Sequence, residues 1–145
     1  MTTVLSARDI SGLLKDRFPG AAEEAGRDSV LVRSDALAQV AAYLKDELKY
    51  DYLNYITAVD YYSYFEVVYQ VTSLANNRSI VMKARCYGRE NPLLPSVTGV
   101  WQGADFQERE IYDLMGINFQ GHPNLKRIFL WEGFEGHPLR KDWNR

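Results

Sequence analysis

The sequence predicts an α+β fold: two N-terminal helices packed on a mostly antiparallel β-sheet, a third helix, then a long irregular C-terminal tail. Three observations predict it. Apolar residues recur at helical spacing near the N-terminus and again before Gly116. Between those stretches the period falls to two, in segments rich in Tyr, Val, Ile and Thr. After Gly116 neither period persists, and Gly121, Pro123, Gly133, Gly136 and Pro138 come too often for a long helix.

Ser6 to Phe18 reads as an amphipathic helix, with Ile10, Leu13, Leu14 and Phe18 on one face. Ser6 is placed to cap it, Asp9 lies in its first turn, and Phe18-Pro19-Gly20 stops it. Ser29 to Arg33 is a short strand candidate. A second helix starts at Ser34 and carries the stripe Leu37, Val40, Ala41, Leu44 and Leu48. Asp51 to Val59, Tyr64 to Thr72 and Ser79 to Arg85 then read as strands. Their links, Asp60 to Ser63 and Ala75 to Arg78, are short, so the three strands form an antiparallel meander with the helices over one face. Gly88 to Thr98 is a loop marked by Pro92 and Pro95. A third helix covers about Gly103 to Met115, ended by Gly116 in the left-handed conformation.

A chain of 145 residues is the size of one domain and buries enough surface for a core. We divide it into a compact body over 1–116 and an extended, partner-docking tail over 117–145. Hydrophobic residues make up 46% and charged residues 25%, an ordinary globular balance. The ten tyrosines suit half-buried strands and protein contacts alike. A net charge of −2 does not favour nucleic acid or an anionic membrane. The one cysteine, Cys86, cannot by itself hold an iron–sulfur cluster or a zinc ion. The first residues show no signal-peptide pattern, and no window is long and apolar enough to span a membrane, so any work at a membrane needs a tether from other subunits.

The tail is unusual in composition. An irregular segment this long is uncommon in a compact fold. It nevertheless carries Phe119, Leu125, Ile128, Phe129, Leu130, Trp131, Phe134, Leu139 and Trp143, whose exposure is costly, so either the chain's own sheet or another subunit covers it. Its charged residues, Lys126, Arg127, Arg140, Lys141 and Arg145 against Glu132, Glu135 and Asp142, give it +2 and leave −4 for the rest. That asymmetry reads as a basic docking strip in which Arg127 and Arg140 pair with carboxylates across an interface, or as a solvated face.

Several residues are candidates for chemistry. Arg109 and Asp113 are four apart in the third helix and can pair on one face. Glu110 and Asp113, three apart, bring two carboxylates together, as acid–base catalysis requires, although paired or solvated carboxylates are the commoner case on a lone helix. His122 and His137 each sit in Gly-His-Pro. With Glu132, Glu135 or Asp142 they supply the donor types of a metal site, but they lack helical metal-binding spacing, and a structural hydrogen-bonding role is the commoner reading. No phosphate-binding glycine motif, CxxC or serine nucleophile elbow occurs.

The run ERE-IYDLMGINFQGHPNLKRIFL, followed by EGHPLRKDW, closely resembles the signature of the C subunit, also called the 30 kDa subunit, of complex I, the proton-pumping NADH:quinone oxidoreductase. The upstream CYGRENPLLPSVTGVW resembles the same family. The resemblance implies a cofactor-free, non-catalytic subunit of the peripheral arm, in the quinone module, at the cytoplasmic face of a bacterial cell membrane. Its implied neighbours are the subunit that resembles a hydrogenase large subunit and the one that carries the terminal iron–sulfur cluster, with the ferredoxin-like subunit a further candidate. The tail is implied to wrap over the hydrogenase-like neighbour. Iron–sulfur clusters and quinone belong to the whole translocase, with NAD and FMN where NADH feeds it. Glu108, Arg109, Glu110, Asp113, His122, Arg127, His137, Arg140 and Asp142 are then interface or tail-anchoring residues. The chain ends soon after GHPLRKD, which favours separate rather than fused subunits, and His137 in that motif points to a bacterial-type complex. Four alternatives stay open: the equivalent subunit of a complex fed by ferredoxin or a reduced deazaflavin, that of a membrane-bound hydrogenase, a small stand-alone hydrolase or metalloenzyme built on His122, His137 and nearby carboxylates, and an adaptor module outside any redox complex.

Overall fold

The structure, a computed structural model, describes residues 2–131 and 134–142. Glu132, offered above as a metal ligand, and Trp143 and Arg145 of the tail lie outside them. Strand β1 (Thr3–Val4) leads into helix α1 (Ala7–Leu14), then β2 (Ala22–Glu24) and β3 (Val30–Val32). A 3-10 turn, Ser34–Ala36, runs into α2 (Leu37–Asp46). The meander follows as β4 (Tyr52–Asp60), β5 (Phe65–Ser73) and β6 (Arg78–Cys86), then β7 (Leu93–Pro95), α3 (Ala104–Met115) and β8 (Asn118–Gln120). The α+β prediction and its three helices are therefore found.

Ser6 caps α1 as read from the sequence: its hydroxyl accepts the Asp9 N–H at 3.1 Å. The helix ends at Leu14 rather than Phe18, and a looser turn, with Phe18 N–H bonded to Leu14 O, carries the chain to Gly20. The six-stranded sheet has the order β2-β3-β6-β5-β4, with β1 beside the start of β6. The meander pairs are antiparallel, whereas β1 and β3 lie parallel along successive parts of β6. Period-two alternation sets the buried face: Phe65, Val67, Tyr69 and Val71 of β5, with Ile80, Met82 and Ala84 of β6, are all fully buried. They share one core with Ile10 and Leu14 of α1, Leu37, Val40, Ala41 and Leu44 of α2, and Ala104 and Ile111 of α3. At about 1.5–3 kcal/mol per large apolar side chain, this layer drives the fold.

Two contacts seat α3. Trp101, at its approach, donates its indole N–H to Tyr50 O at 2.9 Å. Gln107 accepts the Ile56 N–H at 2.5 Å, which satisfies part of the β4 edge and blocks it against strand addition. A second, parallel pair joins β7, inside the segment read as loop, to β8, at the start of the tail. It buries Ile117 and Phe119. Three-residue strands show no countable period, and the prolines around β7 signal a loop, so the pair is made by tertiary placement rather than local preference.

Candidate functional site

Helix α3 ends at Gly116, with φ of 76° and its N–H bonded to Tyr112 O. The carbonyls of the last turn have no partner within the helix. The tail supplies them. Asp113 O accepts from Arg127 Nη1 at 3.0 Å and from the His137 ring at 3.0 Å. Leu114 O accepts the Leu139 N–H at 2.9 Å, and Met115 O accepts Arg140 Nε at 2.6 Å. Two arginines thus stand at the negative end of the helix dipole, where cations are favoured. Gly116 lets His137 and Arg140 come this close. A Cβ there would lie 2.6 Å from His137 Cδ2 and 2.8 Å from Arg140 Nη2.

The side chain of Asp113 is fully buried beneath the tail. One carboxylate oxygen accepts three successive backbone N–H groups, from Ile128 (3.0 Å), Phe129 (2.7 Å) and Leu130 (3.1 Å). The other accepts Arg127 Nη1 at 2.8 Å. Burial by itself pushes its pKa up, but these donors outweigh it and hold the carboxyl below the usual range. The Arg109–Asp113 pair expected from helical spacing is not made. Asp113 faces inward and is claimed by the tail, while Arg109 donates to Lys126 O at 3.2 Å and Arg127 O at 3.5 Å. Nor does Glu110 share an environment with Asp113, since Glu110 is exposed. Arg127 is likewise turned inward, with its second nitrogen on Gly136 O at 2.9 Å, rather than offered to a partner's carboxylate.

Glu108 is buried on another side of α3, away from these tail contacts. It accepts Ser96 Oγ at 2.6 Å and Val97 N–H at 2.9 Å, stapling the 96–98 turn to the helix. Burial raises its pKa, and the two bonds oppose that rise. His122 bonds at the start of α3. Its Nδ1 accepts the Asn124 N–H at 2.9 Å, so Nε2 carries the proton and donates to Asp105 O (3.1 Å) and Asp105 Oδ1 (3.0 Å). His137 donates from Nδ1 to Asp113 O, and burial, with Arg127 and Arg140 nearby, lowers its pKa. Residues 105 and 113 stand about 12 Å apart along the helix at 1.5 Å per residue, so the histidines bond to opposite ends of α3 and do not converge. Among the described residues no three His, Cys, Asp or Glu side chains gather where a metal could be held.

Residues 140–142 of the tail are fixed by two residues that sequence reasoning missed. Asp60, at the end of β4, is 3% exposed. It accepts both terminal nitrogens of Arg89 (2.6 and 2.8 Å), the Lys141 N–H (2.9 Å) and the Tyr62 N–H (2.8 Å). Arg89, first of these partners, holds its carboxyl well below the usual range against the opposing effect of burial. Arg89 also reaches Asp142 at 2.8 Å, and its carbonyl accepts Arg140 Nη1 at 2.7 Å. Both arginines lie over the Phe65 ring, at 4.6 and 5.1 Å from its centre. The one available signal was Arg89's place in the GRENP stretch upstream of α3. Asp60, at a turn, offered none.

The outer edge of this assembly is apolar. Phe129 (57% exposed), Trp131 (69%) and Leu139 (61%) leave the body, and Phe106 of α3 (53%) meets Phe129 edge to face with ring centres 6.4 Å apart. Together these features define an α+β domain whose C-terminal arm is bonded to a helix end and presents apolar side chains outward. The chain belongs to the family described as respiratory-chain NADH dehydrogenase, 30 Kd subunit, which matches residues 30–145. It is 45% identical over 134 residues to the C subunit of NADH-quinone oxidoreductase from Roseiflexus sp. (strain RS-1), covering 89% of this chain and 76% of the relative. It is 42% identical to the second C subunit of NADH-quinone oxidoreductase from Rhizobium meliloti (strain 1021), over 87% of this chain and 73% of that one. In fold it matches a chain of the membrane-bound sulfane sulfur reductase, an archaeal respiratory membrane complex, with a TM-score of 0.75 at 21% identity, covering 94% of this chain and 85% of the other.

Proposed function

We propose that this chain is a cofactor-free assembly subunit in the quinone module of the peripheral arm of a proton-pumping NADH:quinone oxidoreductase. It supports electron transfer from NADH to quinone without touching the reacting groups. Its arm docks on the subunit that resembles a hydrogenase large subunit. The terminal iron–sulfur subunit and the ferredoxin-like subunit are further neighbours, and these partners hold the chain at the cytoplasmic face of the membrane. The single observation that carries the reading is the exposed apolar edge that Phe129, Trp131 and Leu139 of the arm form beside Phe106 of α3. Aromatic anchors of this kind supply most of the energy in a protein interface. Of the tail 117–145, Ile117 is buried and residues 118–120 are tied in as β8, so the arm proper begins at Gly121.

The ligand chemistry agrees with this assignment. The one cysteine is buried, with its thiol pushed up to about 12 by burial, and gives no ligand set for a cluster. We assign clusters, quinone, NAD and FMN to other subunits on the strength of the family alone. The fold alone does not choose the electron donor, because it also stands in a sulfane sulfur reductase; NADH rests on the relatives' names. The metalloenzyme reading needs His122 and His137 in one site, and they sit at opposite ends of α3.

The test replaces Phe129 and Leu139 with Asp. Both side chains are exposed, so the chain on its own should keep its thermal midpoint. The hydrogenase-like subunit should fail to co-purify with it, and those complexes that do assemble should turn over at the normal rate. Normal assembly of the double variant overturns the docking role, and a stoichiometric metal in the purified chain would revive the metalloenzyme.

A further inference from the structure

We propose that Asp60 and Arg89 form a latch that holds the arm on the body in the free subunit, so that the partner meets a built surface rather than a chain that folds on contact. The inference rests on the docking reading for its purpose but not for its geometry. Beyond Arg127, three separate fixings run along the arm. Asp113 gathers the N–H groups of Ile128, Phe129 and Leu130. The last carbonyls of α3 take Leu139 and Arg140. Asp60 and Arg89 take Lys141 and Asp142. Between the fixings the side chains of Phe129, Trp131 and Leu139 point away.

The third fixing is built toward the tail. Asp60 accepts a backbone N–H that only Lys141 in this position supplies. Arg89 has one carboxylate partner in the body and one in the tail, and gives its carbonyl to Arg140. Tyr62 adds its ring beneath Lys141, 5.5 Å from the ammonium, and its hydroxyl to Lys141 O at 3.4 Å. A buried carboxylate with this many donors has one arrangement that satisfies them, which is what a positioning device requires. An arm ordered in advance loses less conformational entropy on binding than a disordered one.

Hydrogen exchange on the full chain, without partner, reads the latch directly. The amides of Leu139 and Lys141 should exchange at least about tenfold more slowly than in an unstructured chain, the scale of one charge-assisted hydrogen bond. Asp60→Ala should remove that protection while β5 and β6 keep theirs, and should weaken binding to the purified hydrogenase-like subunit by about tenfold or more. If Asp60→Ala does not fold, Asp142→Ala, which takes the tail's carboxylate from Arg89, carries the test from the tail's side. Wild-type amides at 139 and 141 exchanging at unstructured rates overturn the latch, as does their full protection in the folded variant. Failure of the wild type to bind the hydrogenase-like subunit overturns the docking reading instead and leaves the exchange result standing.

Discussion

Remove the Asp113 carboxylate and three backbone N–H groups lose their acceptor together, while the Arg127 guanidinium loses its carboxylate and keeps the Asp113 and Gly136 carbonyls. Stranding a buried charge costs about 3–5 kcal/mol where the structure cannot relax. Here it can, because residues 127–130 can swing into water, so the loss is capped by whatever holds that segment. Asp113→Ala should therefore lower global stability by less than about 3 kcal/mol, yet erase exchange protection at Ile128, Phe129 and Leu130 by at least about tenfold. Asp113→Asn, which keeps an oxygen but not the charge, should fall between. Protection at 128–130 unchanged in the alanine variant would show that the segment stays put by its apolar contacts alone. At this scale the sequence was only half legible. Asp113 stood out as a carboxylate on α3, but helical spacing nominated Arg109 as its partner, and the partner is Arg127, fourteen positions on. Spacing rules see only the local face, and a buried acceptor goes to the donors that enclose it.

At the scale of elements, the end of α3 is the platform on which the arm rests. Gly116 was legible in the sequence as a helix stop, since the left-handed position after a helix favours glycine. Its second duty was not legible: the close approach of His137 and Arg140 depends on residues more than twenty positions away. The two duties predict a particular phenotype for Gly116→Ala. Left-handed strain costs about 1–2 kcal/mol by itself. The added methyl also displaces His137 and Arg140, and with them the bonds to Asp113 O and Met115 O. Urea unfolding should show the modest loss, while the amides of Leu139, Arg140 and Lys141 should lose nearly all protection. Strain without any tail release would mean that the side chains shift aside cheaply. The β7–β8 pair teaches the complementary lesson. The long strands of the meander announced themselves by alternation, whereas two three-residue strands, one flanked by prolines, acquire their pairing only after α3 sets them side by side.

For the whole molecule, the titrating groups separate the arm from the body. Asp60 and Asp113 have lowered pKa values in the fold, the first chiefly through Arg89, the second because its hydrogen bonds outweigh burial. The stability that each lends is complete above the ordinary carboxylate value of 3.8 and is lost as pH falls through the folded value. His137 is also lowered, by burial first, so its neutral form is the folded one. Below its ordinary 6.5 the unfolded arm binds a proton that the folded arm resists, and stability falls with pH there too. Glu108 has the opposite sign. Burial raises its pKa, so its contribution is greatest in acid and declines as pH rises. All three groups that weaken in acid touch the arm, and the one that strengthens staples the body. Acidification should thus open the arm before the core: a first loss of protection at 139–141 as pH drops below about 6.5, a larger one below about 4, with β5 and β6 protected throughout. Exchange at several pH values, corrected for intrinsic rates, reads the order. Simultaneous loss in arm and sheet would show that the two are one cooperative unit, and an arm that tightens in acid would contradict the sign of all three groups.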